Sequence, residues 1–253
     1  MSPLLKTDKL TKYFGGVKAL DGVDMEVRRG IIQSIIGPNG AGKTTFFNVV
    51  SGVLRPSGGE VVFDGERISE SPPHRIASRG LTRTFQNLQL FSEMTVLENV
   101  MVGMHLRSKS GIFSSALKLP SAIREERAIR ERSMYWLRFV GLDGGWEKIA
   151  SSLPFGRQRV LEMARALASE PRLLMLDEPA AGLNNRETQD LAELIVRIKN
   201  ADITILLVEH DMDLVMEVSE HVMVMDQGKL IAEGDPEAIR KDEKVLKAYL
   251  GVE

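Results

Sequence analysis

The chain has 253 residues with 33 Lys and Arg against 35 Asp and Glu, a net charge of −2 that provides no basic field for nucleic acid, so we expect no nucleic-acid partner. It contains no cysteine, which excludes disulfides and thiolate metal sites. No apolar run approaches the roughly 20 residues that a membrane-spanning helix needs, and no signal peptide is evident, so we expect a soluble chain that reaches a membrane only through a partner.

The first 27 residues alternate loosely between apolar and polar side chains around Gly15-Gly16, which predicts antiparallel strands. Tyr13 and Phe14 precede these glycines. Strand alternation places the two rings on opposite faces, so only one of them can reach a ligand. Each ring is either a core or edge aromatic residue or a surface that stacks on adenine.

A G-x-x-x-x-G-K-[ST] motif, the P-loop, follows a predicted buried strand at residues 31–36 and opens a predicted helix over residues 44–50. In this setting the glycines turn backbone N–H groups toward phosphate oxygens, and the helix N-terminus adds positive potential. Lys43 can bridge the terminal phosphates, and the Thr44 hydroxyl can bind Mg²⁺. The motif therefore predicts a triphosphate site made of Gly37, Pro38, Asn39, Gly40, Ala41, Gly42, Lys43, Thr44 and Thr45.

Short elements are predicted after the P-loop helix. Residues 58–65 are typical of a strand bounded by turns, residues 74–80 of a short helix that ends at a glycine, and residues 81–85 of a strand that ends at Gln86.

A helical block is predicted beyond Gln86. Thr95 is the expected N-cap of a helix over residues 96–105, and residues 122–140 form an amphipathic helix. The Ser-, Lys- and Gly-rich residues 108–121 are interpreted as a loop or insertion. Four apolar residues just after Gln86 belong either to the core of this block or to a groove that accepts a partner helix; they are Leu88, Leu90, Phe91 and Met94.

In the last third, helices alternate with wholly apolar strands. Residues 173–176 and 203–208 are typical of central parallel strands, and they end at Asp177-Glu178 and at Glu209-His210. Because the carboxyl ends of parallel strands meet at one edge of a sheet, we expect a site there. The predicted fold class is α/β: a P-loop core with a mixed, mainly parallel sheet, an N-terminal antiparallel β portion and an inserted α-helical subdomain.

These features are specific in combination: the P-loop, Gln86 after a strand, Gly156 at the start of a helix, Asp177-Glu178 after a strand and His210 after the next. In them the sequence resembles the ATP-binding subunits of ABC transporters over essentially its whole length. The resemblance implies a single ABC ATPase domain, with a nucleotide-binding core in residues 1–86 and 154–234, a helical subdomain over about residues 87–153 and a helical tail in residues 235–253.

The resemblance also implies a role for each residue. Asp177 holds Mg²⁺ through water, Glu178 polarises the attacking water, and Gln86 binds Mg²⁺ and senses the γ-phosphate. His210 donates to the γ-phosphate as charge develops there. In the family the aromatic residue that stacks on adenine stands directly before the glycine, which favours Phe14 over the preceding tyrosine.

Two loops depart from the family pattern. The signature loop, Leu-Ser-Gly-Gly-Gln in the family, is Leu-Pro-Phe-Gly-Arg at residues 153–157. Pro154 removes the serine hydroxyl that touches a partner's γ-phosphate, while the Gly156 N–H and the helix N-terminus remain. The D-loop, usually Ser-Ala-Leu-Asp, is Ala-Gly-Leu-Asn at residues 181–184. We therefore expect an asymmetric pair of sites, of which the one completed by this signature loop turns over more slowly.

The sequence more specifically resembles the ATPases of importers of branched-chain or other hydrophobic amino acids. These importers have two ATPase subunits, and the resemblance is to the subunit with the larger insertion. It is carried by residues 84–87, 90–100, 108–121, 180–184, 208–212 and 248–251. It implies ATP and Mg²⁺ as cofactors, and a second ABC ATPase subunit and membrane permease subunits as partners. An extracytoplasmic solute-binding protein is an indirect partner, and the location is peripheral, on the cytoplasmic face of the inner membrane.

Other functions are weighed against this one. The ATPases of urea import and of lipopolysaccharide export have similar sequences. A non-transport ABC ATPase of DNA repair or translation is disfavoured, because the chain has one P-loop and neither a heptad run nor a basic tail. Glu178 and His210 favour hydrolysis over a P-loop kinase or a regulatory switch, and no Asn-Lys-x-Asp guanine-binding motif indicates a GTPase.

Overall fold

The computed structural model describes residues 2–104 and 120–250. The strands and helices there are, in chain order, β1 (Leu5–Phe14), β2 (Val17–Val27), β3 (Ile32–Ile36), α1 (Lys43–Val50), β4 (Gly58–Phe63), β5 (Glu66–Arg67), α2 (Pro73–Ser78), β6 (Leu81–Arg83), α3 (Val96–Met104), α4 (Pro120–Val140), α5 (Phe155–Ala168), β7 (Leu173–Asp177), α6 (Asn185–Asn200), β8 (Thr204–Val208), α7 (Met212–Val218), β9 (His221–Asp226), β10 (Lys229–Gly234), α8 (Pro236–Ile239) and α9 (Glu243–Leu250). The predicted insertion lies outside the described residues up to residue 119. Its last two residues belong to α4, which begins two residues earlier than the sequence predicts.

The chain divides into two compact units. The first contains the residues up to Arg83 and those from Arg172 onward, and the second contains Thr84–Pro171. The sequence predicts the end of the helical subdomain before Pro154, whereas in the structure α5 packs against α3 and α4 and so belongs to the second unit.

The first unit contains two sheets. One is antiparallel, in the order β2-β1-β4-β5, and the other has the order β10-β9-β3-β8-β7-β6. In the second sheet β9, β3, β8, β7 and β6 run parallel, and only β10 is antiparallel to its neighbour. The predicted mixed, mainly parallel sheet and the antiparallel N-terminal portion are confirmed.

The central strands β3, β7 and β8 are buried along their whole length, which explains their near-continuous apolar sequences. Two polar residues interrupt β3, and both are satisfied. The Gln33 amide donates to the Glu26 carbonyl oxygen at 2.7 Å, and the Ser34 hydroxyl lies 2.6 Å from that of Ser219. Because these strands are neighbours, the P-loop, the segment after β7 and the segment after β8 leave the sheet at the same edge.

The second unit is a helical layer in which α3, α4 and α5 contact one another. Thr95 is the N-cap of α3, as predicted, because its hydroxyl accepts from the Glu98 N–H while the Glu98 carboxylate accepts from the Thr95 N–H. The apolar stripe of α4 buries Trp136 and Leu137. Among the residues described, no helix has the length and apolar character that crossing a bilayer requires.

One predicted strand end is wrong, and for Tyr13, Phe14, Phe91 and Met94 the structure excludes a core position, which is one of the alternatives that the sequence leaves open. Strand β6 ends at Arg83 instead of residue 85, because only its first three residues pair with β7 at the edge of the sheet. Tyr13 and Phe14 are not core residues, since they are 44% and 47% exposed near the end of the β1–β2 hairpin. Phe91 and Met94 are not core residues either, at 46% and 38% exposed, and Leu88 and Leu90 are half-buried.

Candidate nucleotide-binding site

The P-loop connects β3 to α1 and is packed against neighbouring backbone. A Cβ on Gly37 would lie 2.0 Å from the Met225 carbonyl oxygen of β9, and one on Gly42 would lie 2.4 Å from the Ala19 carbonyl oxygen of β2. Gly42 also has a φ of +102° and is the N-cap of α1. Only glycine fits both positions without displacing backbone, so the sequence motif reflects close packing as well as phosphate binding.

Lys43 is the first residue of α1, and its ammonium group is enclosed by the loop. Nζ donates to the carbonyl oxygens of Gly37 at 2.6 Å and Pro38 at 3.0 Å, and the residue is 5% exposed. Burial lowers the pKa of Lys43, and the nearby carboxylates of Glu178 and Asp177 oppose that shift. A buried cation held by neutral carbonyls at a helix N-terminus is prepared for an anion such as a triphosphate.

Asp177 ends β7, and its carboxylate is paired with a residue that the sequence analysis did not single out. Arg83 donates from Nη2 to Asp177 Oδ2 at 2.6 Å and from Nη1 to Asn48 Oδ1 of α1 at 2.6 Å. Both members of the ion pair are at most 5% exposed. The guanidinium therefore links β6, α1 and the end of β7 in one network.

Glu178 and His210, which the sequence assigns to the ends of two different strands, are brought into direct contact. His210 Nε2 lies 2.6 Å from Glu178 Oε1. Glu178 has a φ of +48°, which is unusual for a residue with a side chain, and its N–H donates to the Val208 carbonyl oxygen at 2.8 Å. The strained backbone conformation and the β8 contact together direct this carboxylate toward the imidazole.

Glu209 is a second residue that the sequence analysis missed as functional. It is 3% exposed, and its carboxylate accepts from the N–H groups of Ala180 at 2.7 Å and His210 at 3.0 Å. Burial raises the pKa of Glu209, and these hydrogen bonds oppose that shift. The residue thus ties the segment that follows Glu178 to the segment that carries His210. The sequence feature that could have indicated a role for Glu209 is its position as a charged residue directly after an apolar strand.

The donor set fits a magnesium ion, because Mg²⁺ prefers oxygen ligands and the Thr44 hydroxyl and the Asp177 carboxylate supply them. Gln86 is exposed and lies in the second unit, three residues along the chain from the end of β6. Gly156 is buried in the first turn of α5. The structure therefore groups Lys43, Asp177, Glu178 and His210 in the first unit. The roles of these four residues, like those of Gln86, Gly156 and Phe14, stay predictions.

Comparison with known proteins gives consistent matches. The ABC transporter family model matches residues 20–181, and a model described as branched-chain amino acid ATP-binding cassette transporter matches residues 229–253. The chain is 46% identical over 250 residues to the high-affinity branched-chain amino acid transport ATP-binding proteins BraF of Pseudomonas aeruginosa and LivG of Escherichia coli, with 98% of each chain covered.

Solved structures are similar over the same length. A nucleotide-free ATP-binding cassette from an ABC transporter is 34% identical, with a TM-score of 0.85 and 98% of both chains covered. An ATP-binding cassette in its ADP conformation is also 34% identical, with a TM-score of 0.86, and the match covers 99% of this chain and 100% of that one.

Replacing Arg83 with methionine tests the buried network around Asp177. The variant leaves the carboxylate buried without its guanidinium partner, so we expect the free energy of unfolding to fall by about 3–5 kcal/mol. The double variant R83M/D177N, which also removes the carboxylate charge, should recover most of this loss. Chemical denaturation of both variants measures the difference, and equal stability losses would contradict the ion pair's assigned role.

Proposed function

The chain belongs to the ABC transporter ATP-binding family, and on this premise we propose that it binds and hydrolyses ATP to power the import of branched-chain or other hydrophobic amino acids. The contact between Glu178 and His210, beside the buried Lys43, is the observation that carries the hydrolytic part. The names of the relatives at 46% identity and the match over residues 229–253 support the amino-acid part. They favour it over urea import, lipopolysaccharide export and a non-transport role.

ATP would bind with its β- and γ-phosphates at the P-loop. The Lys43 ammonium would exchange its carbonyl partners for phosphate oxygens, which compensate a buried positive charge better than neutral acceptors do. We assign Thr44 and Asp177 as residues that would hold Mg²⁺, and the family resemblance implies Gln86 as a further ligand. When bound, the ion would neutralise part of the charge of the phosphates. Phe14, whose ring is about half exposed, would stack on the adenine.

Hydrolysis would depend on the paired side chains at the ends of β7 and β8. Glu178 would orient and polarise the attacking water, and the hydrogen bond from His210 would hold the carboxylate in that orientation. His210 is itself 43% exposed at its side chain, so its imidazole is accessible to the γ-phosphate, to which it would donate as charge develops. Glu209 supports both residues, because its carboxylate accepts hydrogen bonds from the segment that follows Glu178 and from the segment that carries His210.

A second ABC ATPase subunit would complete the site. In this arrangement the nucleotide lies between the P-loop of one subunit and the signature loop of the other, where Gly156 and the start of α5 face the γ-phosphate. Pro154 is the N-cap of α5 and carries no hydroxyl that could donate there. We therefore propose that the site completed by residues 153–157 is the slower one of an asymmetric pair.

Membrane permease subunits would dock on the exposed apolar residues that follow Gln86. Phe85, Phe91 and Met94 are between 38% and 46% exposed. This degree of exposure is unusual for large apolar side chains that lie close together in the sequence. Such contacts would place the protein peripherally, at the cytoplasmic face of the inner membrane. The extracytoplasmic solute-binding protein would act only through the permease.

The variant Glu178→Gln tests hydrolysis. The amide keeps the shape of the side chain but polarises water poorly, so we expect ATPase activity in the assembled transporter to fall by about 10²–10⁴-fold while ATP still binds. Glu193→Gln, an exposed change on α6, is the matched control and should leave the rate unchanged. Activity within about tenfold of the unmodified protein would rule out the assigned role of Glu178.

The variant Phe91→Glu tests permease docking. A charge buried at an apolar interface without a partner weakens association by several kcal/mol, so we expect transport in reconstituted vesicles to fall by at least about tenfold. ATP binding by the isolated subunit should persist. Ile123→Glu, at a 56% exposed position on α4, is the control for adding a surface charge. Normal transport by the Phe91 variant would overturn this docking site.

A further inference from the structure

Two oppositely charged residues are buried in the second unit, and the proposed mechanism does not use them. Arg159 is 2% exposed and Glu162 is 1% exposed, and both belong to α5, the helix that the signature loop opens. Arg159 Nη1 lies 3.1 Å from Glu162 Oε2. Charges are almost never buried to this degree unless they are paired and hydrogen-bonded, so their remaining partners indicate what they do.

Their remaining hydrogen-bond partners are main-chain atoms of one short segment. Arg159 donates from Nη1 to the Phe85 carbonyl oxygen at 3.1 Å and from Nη2 to the Gln86 carbonyl oxygen at 2.9 Å. Glu162 Oε1 accepts from the Gln89 N–H at 3.1 Å. Burial raises the pKa of Glu162, and the hydrogen bond from Gln89 and the charge of Arg159 oppose that shift. The pair thus holds residues 85–89 by three charge-assisted hydrogen bonds.

A buried asparagine holds the main chain at Phe91, just beyond this segment. Asn99 of α3 is 0% exposed; its Oδ1 accepts from the Phe91 N–H at 3.0 Å, and its Nδ2 donates to the Phe91 carbonyl oxygen at 3.0 Å. The side chains of Phe85 and Phe91 are nevertheless 41% and 46% exposed. The segment is therefore held by its main chain while its side chains stay on the surface.

We propose that Arg159 and Glu162 form a clamp that fixes the main chain of residues 85–89 to the helix opened by the signature loop, so that Gln86 and the signature loop move as one body. This inference rests on the proposed function, in which Gln86 contributes to the Mg²⁺ site of one nucleotide and the signature loop completes the site of the other. Through the clamp, ATP bound at one site biases the geometry of the second. Arg159 and Glu162 are positioning residues in this scheme, because they touch no nucleotide.

The double variant R159M/E162M tests the clamp. Replacing a buried ion pair with apolar side chains of similar volume is often neutral or stabilising, so the helix should stay folded. The freed carbonyl oxygens and the Gln89 N–H can turn to water, because Gln86 and Gln89 are exposed. The matched control is R132Q/E170Q, which removes an Arg–Glu ion pair of the same unit.

The first measurement is hydrogen exchange of the full-length subunit, resolved to the peptide that contains Gln89. Loss of a hydrogen bond to a charged group should raise exchange there by about 10- to 100-fold, while the control variant leaves it unchanged. This readout does not depend on ATP hydrolysis. Unchanged exchange in R159M/E162M would overturn the clamp even if the protein proves to be an active transport ATPase.

The second measurement is ATP binding and turnover in the assembled transporter. We expect R159M/E162M to bind ATP normally, to hydrolyse it at least about tenfold more slowly, and to lose cooperativity, with a Hill coefficient near one. Normal rate and cooperativity together with fast Gln89 exchange would show that the contacts only stabilise the fold, which would overturn the positioning role. Absence of ATPase activity in the unmodified transporter would instead count against the proposed function.

If R159M/E162M does not fold, Arg159→Lys gives the same test. Lysine keeps a charge beside Glu162, but its single ammonium group cannot reproduce the two-carbonyl geometry of the guanidinium fork. We expect a partial loss of turnover at unchanged ATP affinity, while exchange at Gln89 stays close to that of the unmodified protein because its acceptor, Glu162, is retained. Turnover equal to that of the unmodified protein would contradict the clamp.

Discussion

The site depends on a buried cation whose partners in the protein are weaker than those that a nucleotide offers. Lys43 is enclosed by carbonyl oxygens of its own loop, and burial lowers its pKa. Glycines at positions 37 and 42 allow this arrangement because the backbone of β9 and β2 approaches too closely for any side chain. Phosphate oxygens compensate the buried charge better than carbonyl oxygens do. The fold therefore holds a buried positive charge that a triphosphate would compensate, and this gain would contribute to the free energy of binding.

Around this cation, each acidic residue at the sheet edge has a different partner. Asp177 is paired with Arg83, Glu178 contacts His210, and Glu209 accepts from backbone N–H groups. Their separate partners allow separate tasks, which we propose to be metal binding, water activation and support of the loops. In the second unit, the Arg159–Glu162 clamp uses buried charge differently, to hold main chain.

Much of this could be predicted because it follows local rules. The strand–loop–helix pattern around Lys43 and the apolar strands that end at Asp177 and Val208 are readable from neighbouring residues alone. Arg83 and Glu162 could not be recognised in that way, because a charged residue in a single sequence is typically solvated and their burial depends on distant partners; Arg83 and Asp177 are separated by 94 positions. The early end of β6 has a similar cause, since an edge strand stops where the chain leaves its single neighbour.

The most direct test of the central claim is calorimetric titration of the full-length subunit with ATP in the presence of Mg²⁺, compared with Lys43→Met. The account predicts one ATP bound per subunit and an affinity that falls by about 10- to 100-fold in the variant, because a charge-assisted contact to phosphate is lost. Absence of magnesium-dependent ATP binding to the unmodified subunit, or equal affinity in the two proteins, would contradict it.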